Sequence, residues 1–397
     1  MGPLTGVRVL DLGQYITGPY ATSLLAEMGA DVIKVESPPD GDEFRSWEKG
    51  KVSPQFLTFN HGKRSIVLDL KAMDQRAEFY RLVKTADVLI ENFRPGVTSR
   101  LGIAYESVRE LNPRLVYCSI TGFGSDGPYA DRPAYDSVAL GFSGISSLLM
   151  NPEQPRLMGP AMADIITGQT AAFCVVSALA GRARSGKGEY VEVNMLASLV
   201  RFITGQVAKQ VLNGTEEGPY TRSTLSQAYA FRTSEGEVLL IHLSSPEKFW
   251  RSLCEAVGRE DLLTHPVFGQ RGNRVKHYDA LMKELEPTFA ARTQAEWLQI
   301  LTAHEVPCAP VNRVSQTLAD PQVQHLRIVE VEEDPVLGRI PRFRPPVKWT
   351  GETPDLVSRP PKLGEHTEEI LAELRQSNAY SVVGNLDDKN ASETRME

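Results

Sequence analysis

The sequence predicts an α/β protein, with a Rossmann-like, doubly wound parallel sheet in a large domain and a smaller α+β domain after it. Three observations carry this. Short apolar runs alternate with helix-spaced segments over the first two hundred or so residues, as in parallel strands joined by crossover helices. Near residue 226 the texture changes to a hairpin signal followed by consecutive helical segments. The length of 397 residues suits about two domains, and the hydrophobic (41%) and charged (23%) fractions are those of a globular chain able to bury a substantial core.

Taken in order, Val7, Val9, Leu10 and Leu12 read as a buried strand and Gly13 to Gly18 as a turn. Residues 19–28 have helical spacing, with Leu24, Leu25 and Met28 on one face, and Val32, Ile33 and Val35 form a strand ending at Glu36. This is a βαβ unit, the seed of a parallel sheet. After the basic turn Gly62-Lys63-Arg64, Leu68 and Leu70 close a short strand; residues 74–84 read as helix and Val88-Leu89-Ile90 as strand. Tyr105–Leu111 is helical, Leu115–Ile120 is strand, an apolar helix runs from about Ala163 to Arg182, and Tyr190–Asn194 is the next strand. Ala228–Arg232 and Val238–His242 flank Ser234-Glu235-Gly236 as a hairpin, with helices near 247–257, 273–291 and 293–304. Pro307–Val311 and the proline-rich stretch 341–361 lead back to the first domain. The expected organisation is residues 1–212 as the first part of the large domain, 213–225 as a polar linker and 226–310 as the small domain. Residues 311–375 return to the large domain and 376–397 form a flexible tail.

Composition removes several function classes. A net charge of -7 argues against nucleic-acid binding, which calls for a basic surface. Cys118, Cys174, Cys254 and Cys308 form no CxxC pair, and the seven histidines form no HExxH pair, so neither a disulfide framework nor a metal site is signalled. Strand-like sequence starts at Gly6 with no leader pattern before it, and no apolar run is long enough to span a membrane, which together predict a cytoplasmic protein with no membrane partner.

Gly122-Phe123-Gly124-Ser125-Asp126-Gly127 matches the dinucleotide pattern GxGxxG after a strand, which invites a nicotinamide-dependent dehydrogenase reading. Pro128, Asp131, Arg132 and Pro133 follow, however, where that fingerprint requires a helix. The first turn, Gly13 to Gly18, lacks the glycine spacing but lies at the carboxyl end of a strand, where α/β folds bind ligands. Asp164 stands at the start of an otherwise apolar helix. It suits an N-cap, and equally a carboxylate stabilised by the helix terminus, with Gly159, Ala161, Ala163 and Gly168 leaving room for a substrate. Arg45, Lys63, Arg64, Arg94, Arg100 and Arg132 fall in predicted loops; each suits a solvated surface charge, and several converging would suit a phosphorylated ligand.

These segments resemble the class III coenzyme A-transferase family, which also contains α-methylacyl-CoA racemases. The likeness runs from Gly6 to about Glu373. It rests on Arg8-Val9-Leu10-Asp11-Leu12, Gly18-Pro19, Gly29-Ala30-Asp31-Val32-Ile33-Lys34-Val35-Glu36 and Lys63-Arg64-Ser65-Ile66. It continues in Glu91-Asn92-Phe93-Arg94-Pro95-Gly96, Leu111-Asn112-Pro113-Arg114, Thr121-Gly122-Phe123-Gly124 and Met162-Ala163-Asp164. The resemblance implies an interlocked homodimer and a catalytic aspartate at Asp164. It implies CoA contacts at Tyr15, Ile16, Leu68, Asn92, Phe93, Arg94, Arg100 and Tyr135. Its substrates would be an acyl-CoA and a small carboxylic acid, with no permanently bound cofactor and no metal.

The racemases of this fold carry histidine in a Gly-His-Asp motif; here the stretch reads Pro133-Ala134-Tyr135-Asp136. A tyrosine with an ordinary pKa of about 10 is a poor base at neutral pH, so the sequence favours CoA transfer, with 2-methylacyl-CoA racemisation as the alternative. A non-catalytic CoA-binding subunit is a further alternative. The family's glycine-rich loop in the small domain is replaced here by His242-Leu243-Ser244-Ser245-Pro246-Glu247, which predicts a stiffer loop and leaves His242 as a candidate for either the site or the surface.

Overall fold

A computed structural model describes residues 2–48, 53–335, 337–350 and 358–376. The chain divides into two compact units, one of Met1–Ile145, Gly159–Thr204 and Arg327–Glu397, the other of Ser146–Met158 and Gly205–Leu326. Residues 377–397, nearly all of the expected tail, lie outside the described residues.

In the first unit six strands, β1 (Arg8–Asp11), β2 (Asp31–Glu36), β3 (Lys63–Val67), β4 (Val88–Glu91), β5 (Val116–Thr121) and β6 (Tyr190–Asn194), form one parallel sheet in the order β3-β2-β1-β4-β5-β6. Its helices are α1 (Thr17–Glu27), α2 (Pro54–Phe59), α3 (Met73–Thr85), α4 (Val97–Leu101), α5 (Tyr105–Val108) and α6 (Asp136–Ser143). After them come α7 (Ile145–Leu149), which leaves the unit, then α8 (Met162–Ser185) and α9 (Met195–Phe202). Alternation along each strand divides the core. Leu10, Ile33, Ile66, Leu89 and Tyr117 face Phe79 and Leu82 of α3 together with Ile370 and Leu374 of the helical stretch 367–376. Val9, Val32, Val88, Val116 and Cys118 face Ala21 and Leu25 of α1 and Ala171 and Val175 of α8. Helices therefore cover both faces, and the strand order reverses between β1 and β4, the place where such sheets open a crevice at their carboxyl ends.

Three local expectations need correction. Lys63 and Arg64 are strand residues rather than a basic turn, and β3 ends before Leu68. Their charges are tolerated in the sheet because each is paired: Lys63 Nζ donates to Asp11 Oδ2 at 2.8 Å, while Arg64 binds Asp31 and Glu373. Helix α5 stops at Val108, because Leu111 and Asn112 both donate to the Val108 carbonyl as the chain turns toward Pro113. Helix α8 does meet the length and hydropathy of a membrane span, contrary to the reading of the sequence. Its Ala163, Thr167, Ala171, Ala172 and Val175 are buried, and α1 packs along it, as for a core helix.

The second unit holds a three-stranded antiparallel sheet, β7 (Ala228–Arg232), β8 (Val238–His242) and β9 (Cys308–Pro310), in that order. Around it lie α10 (Thr204–Asn213), α11 (Thr221–Ser226), α12 (Glu247–Ala256), α13 (Arg271–Lys276), α14 (Tyr278–Phe289), α15 (Gln294–Ala303), α16 (Val314–Ala319) and α17 (Pro321–Leu326). The segment read as a linker thus carries a helix at its end. Tyr229, Phe231, Leu239 and Ile241 pack on Trp250, Leu281, Phe289 and Trp297. The loop 242–247 is tied at both ends, by Gln227 Nε2 donating to the Ser244 carbonyl and by the buried Arg274 binding both Glu247 oxygens at 2.9 Å. The chain re-enters the first unit with the hairpin β10 (Val329–Asp334) and β11 (Gly338–Phe343).

Candidate active site

A cavity of about 450 Å³ opens at the carboxyl ends of β1, β4 and β5 in the first unit. Its wall is built from Gln14, Tyr15, Ile16 and Thr17 of the β1–α1 turn, Phe44 and Trp47, Asn92 to Pro95 after β4, and Ile120 to Gly122 after β5. Arg132, Tyr135, Asp136, Asp164 and Met195 complete it.

The β1–α1 turn rests on buried charge. Asp11 accepts hydrogen bonds from Gly13 N (2.8 Å), Thr22 Oγ1 (2.9 Å) and Lys63 Nζ (2.8 Å). Lys34 Nζ donates to the Gly13 carbonyl at 2.7 Å and pairs with Asp42 at 2.8 Å. Burial alone would push the Asp11 carboxyl up, but Lys34 and Lys63 outweigh it and hold it below the usual range, while burial brings Lys63 down to about 8. Asn92 grips the turn from β4: its Oδ1 accepts from Gln14 N and its Nδ2 donates to Gln14 O, both at 2.9 Å. Tyr15 takes the left-handed conformation, φ 62°, and its ring meets Phe44 and Tyr135 edge-on at 5.4 and 6.5 Å. The motif residues around Asp11, Lys34, Lys63 and Asn92 are therefore the scaffold that shapes this turn.

Asp164 is the third residue of α8, not its cap. Ala161 stands at the cap position, and the exposed amides are instead met by Asp136, whose Oδ1 accepts from Ala163 N at 2.6 Å and from Asp164 N at 3.3 Å. The Asp164 side chain turns toward α1, where Oδ1 accepts the Thr17 hydroxyl at 2.5 Å. Gly168 makes this approach possible: a Cβ there would lie 2.9 Å from the Thr17 carbonyl and 3.0 Å from the Tyr20 ring. Its smallness lets α8 close on α1, rather than leaving room for a substrate as the sequence suggests.

Burial raises the Asp164 carboxyl to about 6; the Thr17 hydrogen bond opposes the rise and the nearby Asp136 adds to it. Two substitutions follow with opposite signs. Thr17→Val removes a donor to the charged form, so the acidic limb of the activity profile moves to higher pH. Asp136→Asn keeps an acceptor for the helix amides but removes the charge, so that limb moves to lower pH. Profiles of kcat/KM against pH check both.

Of the residues expected to contact CoA, Tyr15, Ile16, Asn92, Phe93, Arg94 and Tyr135 line one cavity together with Asp164. Leu68 is buried in the core at 4% exposure, and Arg100 lies at the exposed end of α4; neither lines the cavity. Among the basic residues, Arg45 is held by both Glu36 oxygens at 2.7 Å, and Lys63 and Arg64 are held as described, whereas Arg94 and Arg132 line the cavity. His242 is exposed at the end of β8 in the second unit. Thr17, Asp136, Phe44 and Trp47 were not singled out from the sequence. The Asp136 capping contact joins residues 27 and 28 positions apart, so no local pattern reveals it.

The loop Gly122 to Gly127 opens no helix. Ser125 is held through N and Oγ by Glu192 at 2.7 and 2.6 Å, and the next helix starts at Asp136, so the loop lacks the helix N-terminus that a dinucleotide fingerprint needs. Cys118 and Cys254 are buried, and burial raises both thiols. Among the described residues no three His, Cys, Asp or Glu side chains gather into a metal-holding group.

The doubly wound sheet places a partly buried carboxylate in its switch-point crevice, and comparison with known proteins gives the class. Residues 4–367 match the model of CoA-transferase family III. The chain is 36% identical over 388 residues to a succinate–glutarate CoA-transferase of Agrobacterium fabrum, covering 94% of this chain and 96% of that one. It is 34% identical to a succinyl-CoA:glutarate CoA-transferase of Mus musculus, covering 94% and 87%. The crystal structure of a CaiB/BaiF family protein from Brucella suis superposes with a TM-score of 0.84 at 33% identity, covering 94% and 99%. The chain belongs to CoA-transferase family III and is an enzyme of the CoA-transferase class.

Proposed function

We propose that this chain moves CoA from an acyl-CoA thioester to a free dicarboxylic acid, with Asp164 as the covalent nucleophile. The observation that carries the reading is the shared cavity: the partly buried Asp164 carboxyl lies in one pocket with Tyr15, Ile16, Phe93 and Arg94. The dicarboxylate class is supported by the acids named in its relatives, succinate, glutarate and oxalate.

Asp164 attacks the thioester carbonyl, the C–S bond breaks, and CoA thiolate leaves an aspartyl–acyl anhydride. The thiolate then attacks the Asp164 carbonyl, releasing the donor acid and forming an aspartyl–CoA thioester. The acceptor carboxylate attacks that thioester, and returning thiolate cleaves the second anhydride at the acceptor carbonyl, freeing Asp164. No net proton is consumed. Holding the carboxylate beside the thioester supplies effective concentration, and partial burial strips its hydration. The amide of Thr17, at the start of α1 and on the cavity wall, has no intrahelical acceptor and suits the developing oxyanion. The racemase alternative needs an acid and a base across the α-carbon. At the histidine position of those enzymes stands Tyr135, 60% exposed.

The chain works, in this reading, as an interlocked homodimer in the cytoplasm. The apolar side chains of Phe173, Phe202, Val211 and Leu212, each 65–79% exposed on the single chain, support an assembly that covers them. Light scattering is expected to give about twice 43.9 kDa; a monomer mass contradicts it. Function is tested by incubating the protein with succinyl-CoA and glutarate in deuterated buffer. Glutaryl-CoA should form. Solvent deuterium entering the α-carbon of a 2-methylacyl-CoA, without transfer, would favour the racemase.

A further inference from the structure

Two arginines of the first unit, Arg94 and Arg132, line the cavity that holds Asp164. Arg8, Arg45, Arg64 and Arg182 are each engaged by carboxylates, as are Lys34 and Lys63. Arg132 makes no ion pair among the described residues, yet it lines the cavity that holds Asp164. Its guanidinium lies over the Tyr129 ring, 4.1 Å from the centroid, and 5.8 Å from that of Phe142. Those rings form a platform with Phe123, the three centroids 5.2–5.7 Å apart. A guanidinium held over a ring without a carboxylate partner keeps N–H donors available for the fork that binds a carboxylate through two parallel hydrogen bonds. The aromatic support fixes the fork without neutralising it.

Its place along the chain sets the reach. Arg132 precedes Asp136 by four residues, so their Cα atoms are at most about 14 Å apart. Asp136 itself accepts from the Asp164 amide at 3.3 Å. The fork is therefore presented from the same short segment that caps the nucleophile's helix. Arg94, the other cavity arginine, follows Phe93 in the stretch that by resemblance takes CoA.

We infer that Arg132 is a specificity-determining residue that receives the distal carboxylate of a dicarboxylate substrate while the proximal carbonyl meets Asp164. This rests on the transferase reading above. The anion on Arg132 has two possible sources, the substrate's second carboxylate or a phosphate of CoA, and the test separates them. Full-length wild type, Arg132→Gln and Arg132→Lys are compared with succinyl-CoA and butyryl-CoA, donors of equal chain length that differ in a terminal carboxylate against a methyl. The readout is kcat/KM for thioester consumption with hydroxylamine as trap. The succinyl-to-butyryl ratio should fall about 10- to 150-fold in Arg132→Gln, the range for one charge-assisted contact, and less in Arg132→Lys, which keeps the charge. A ratio unchanged within about 2-fold, with both donors slowed alike, would place the CoA phosphate or a structural role there and overturn the inference. Equal loss of selectivity in Arg132→Lys and Arg132→Gln would assign the effect to packing on Tyr129 and would also overturn it. The trap distinguishes this from failure of the reading beneath it. Wild type that yields no hydroxamate on the Asp164 peptide with either donor refutes the transferase mechanism itself, whereas labelled Asp164 with an unaltered ratio refutes only Arg132.

Discussion

Asp164→Asn is expected to lower the transfer rate by about 10⁴-fold or more, the loss typical when a covalent nucleophile is removed, while leaving the fold at least as stable as wild type. The two halves of this prediction come from one cause. Burial raises the carboxyl to about 6, so folding favours its protonated form. A group whose folded pKa lies above its unfolded one contributes stability that is full below the unfolded value and is lost as pH rises through the folded value. Above about pH 6 the wild type therefore bears the cost of an ionised, partly buried carboxylate, at most about 3 kcal/mol, which the neutral amide relieves. The thermal midpoint of Asp164→Asn at pH 8 should equal or exceed that of wild type, with the difference shrinking toward pH 4. A variant both inactive and several degrees less stable at pH 8 would mean that Asp164 serves the fold rather than the reaction.

Asp11→Ala should be the most damaging substitution for stability. Asp11 is fully buried and is the one carboxylate within 3 Å of Lys63 Nζ among the described residues. Its removal leaves the buried Lys63 ammonium with only the neutral acceptors Pro19 O, Phe59 O and Asn60 Oδ1, frees Gly13 N and releases Thr22, so a loss of about 3–5 kcal/mol is expected. Because Gly13 leads directly into the cavity-lining stretch Gln14 to Thr17, activity should fall with it. Arg313→Ala is the matching control: its ion pair with Glu237 is exposed, 66% at the arginine, and its loss should cost under about 1 kcal/mol. Thermal melts of the two variants beside wild type check the contrast. A melt of Asp11→Ala within a degree of wild type would show that the buried network does not hold the turn.

What could be read from the sequence follows from which forces are local. The strands β1, β2, β4, β5 and β6 announce themselves because a parallel sheet covered on both faces leaves nearly continuous apolar runs. Helix α8 is visible from its apolar length, and Asp164 from being the charge at its start. The reading failed where a charge is neutralised from afar. Lys63 and Arg64 look like turn residues until Asp11, 52 positions away from Lys63, and Glu373, 309 away from Arg64, are brought to them. Asp164 looks like a cap because the true capping group, Asp136, arrives from a preceding helix. Gly168 looks like space for a ligand because its neighbour on α1 is invisible in one dimension. The family motifs resemble a list of ligand contacts, yet Asp11, Lys34 and Lys63 are buried beneath the β1–α1 turn and shape it, while Asn92 both holds the turn and lines the cavity.

Asp164 should carry first the acyl group and then CoA, and peptide mass spectrometry of the protein mixed with succinyl-CoA, with and without hydroxylamine, reads this out. A CoA adduct is expected on the peptide containing Asp164, converted by hydroxylamine to a hydroxamate at that residue and absent from Asp164→Asn. Turnover of succinyl-CoA to glutaryl-CoA with Asp164 unlabelled, or with label on another residue, would contradict it.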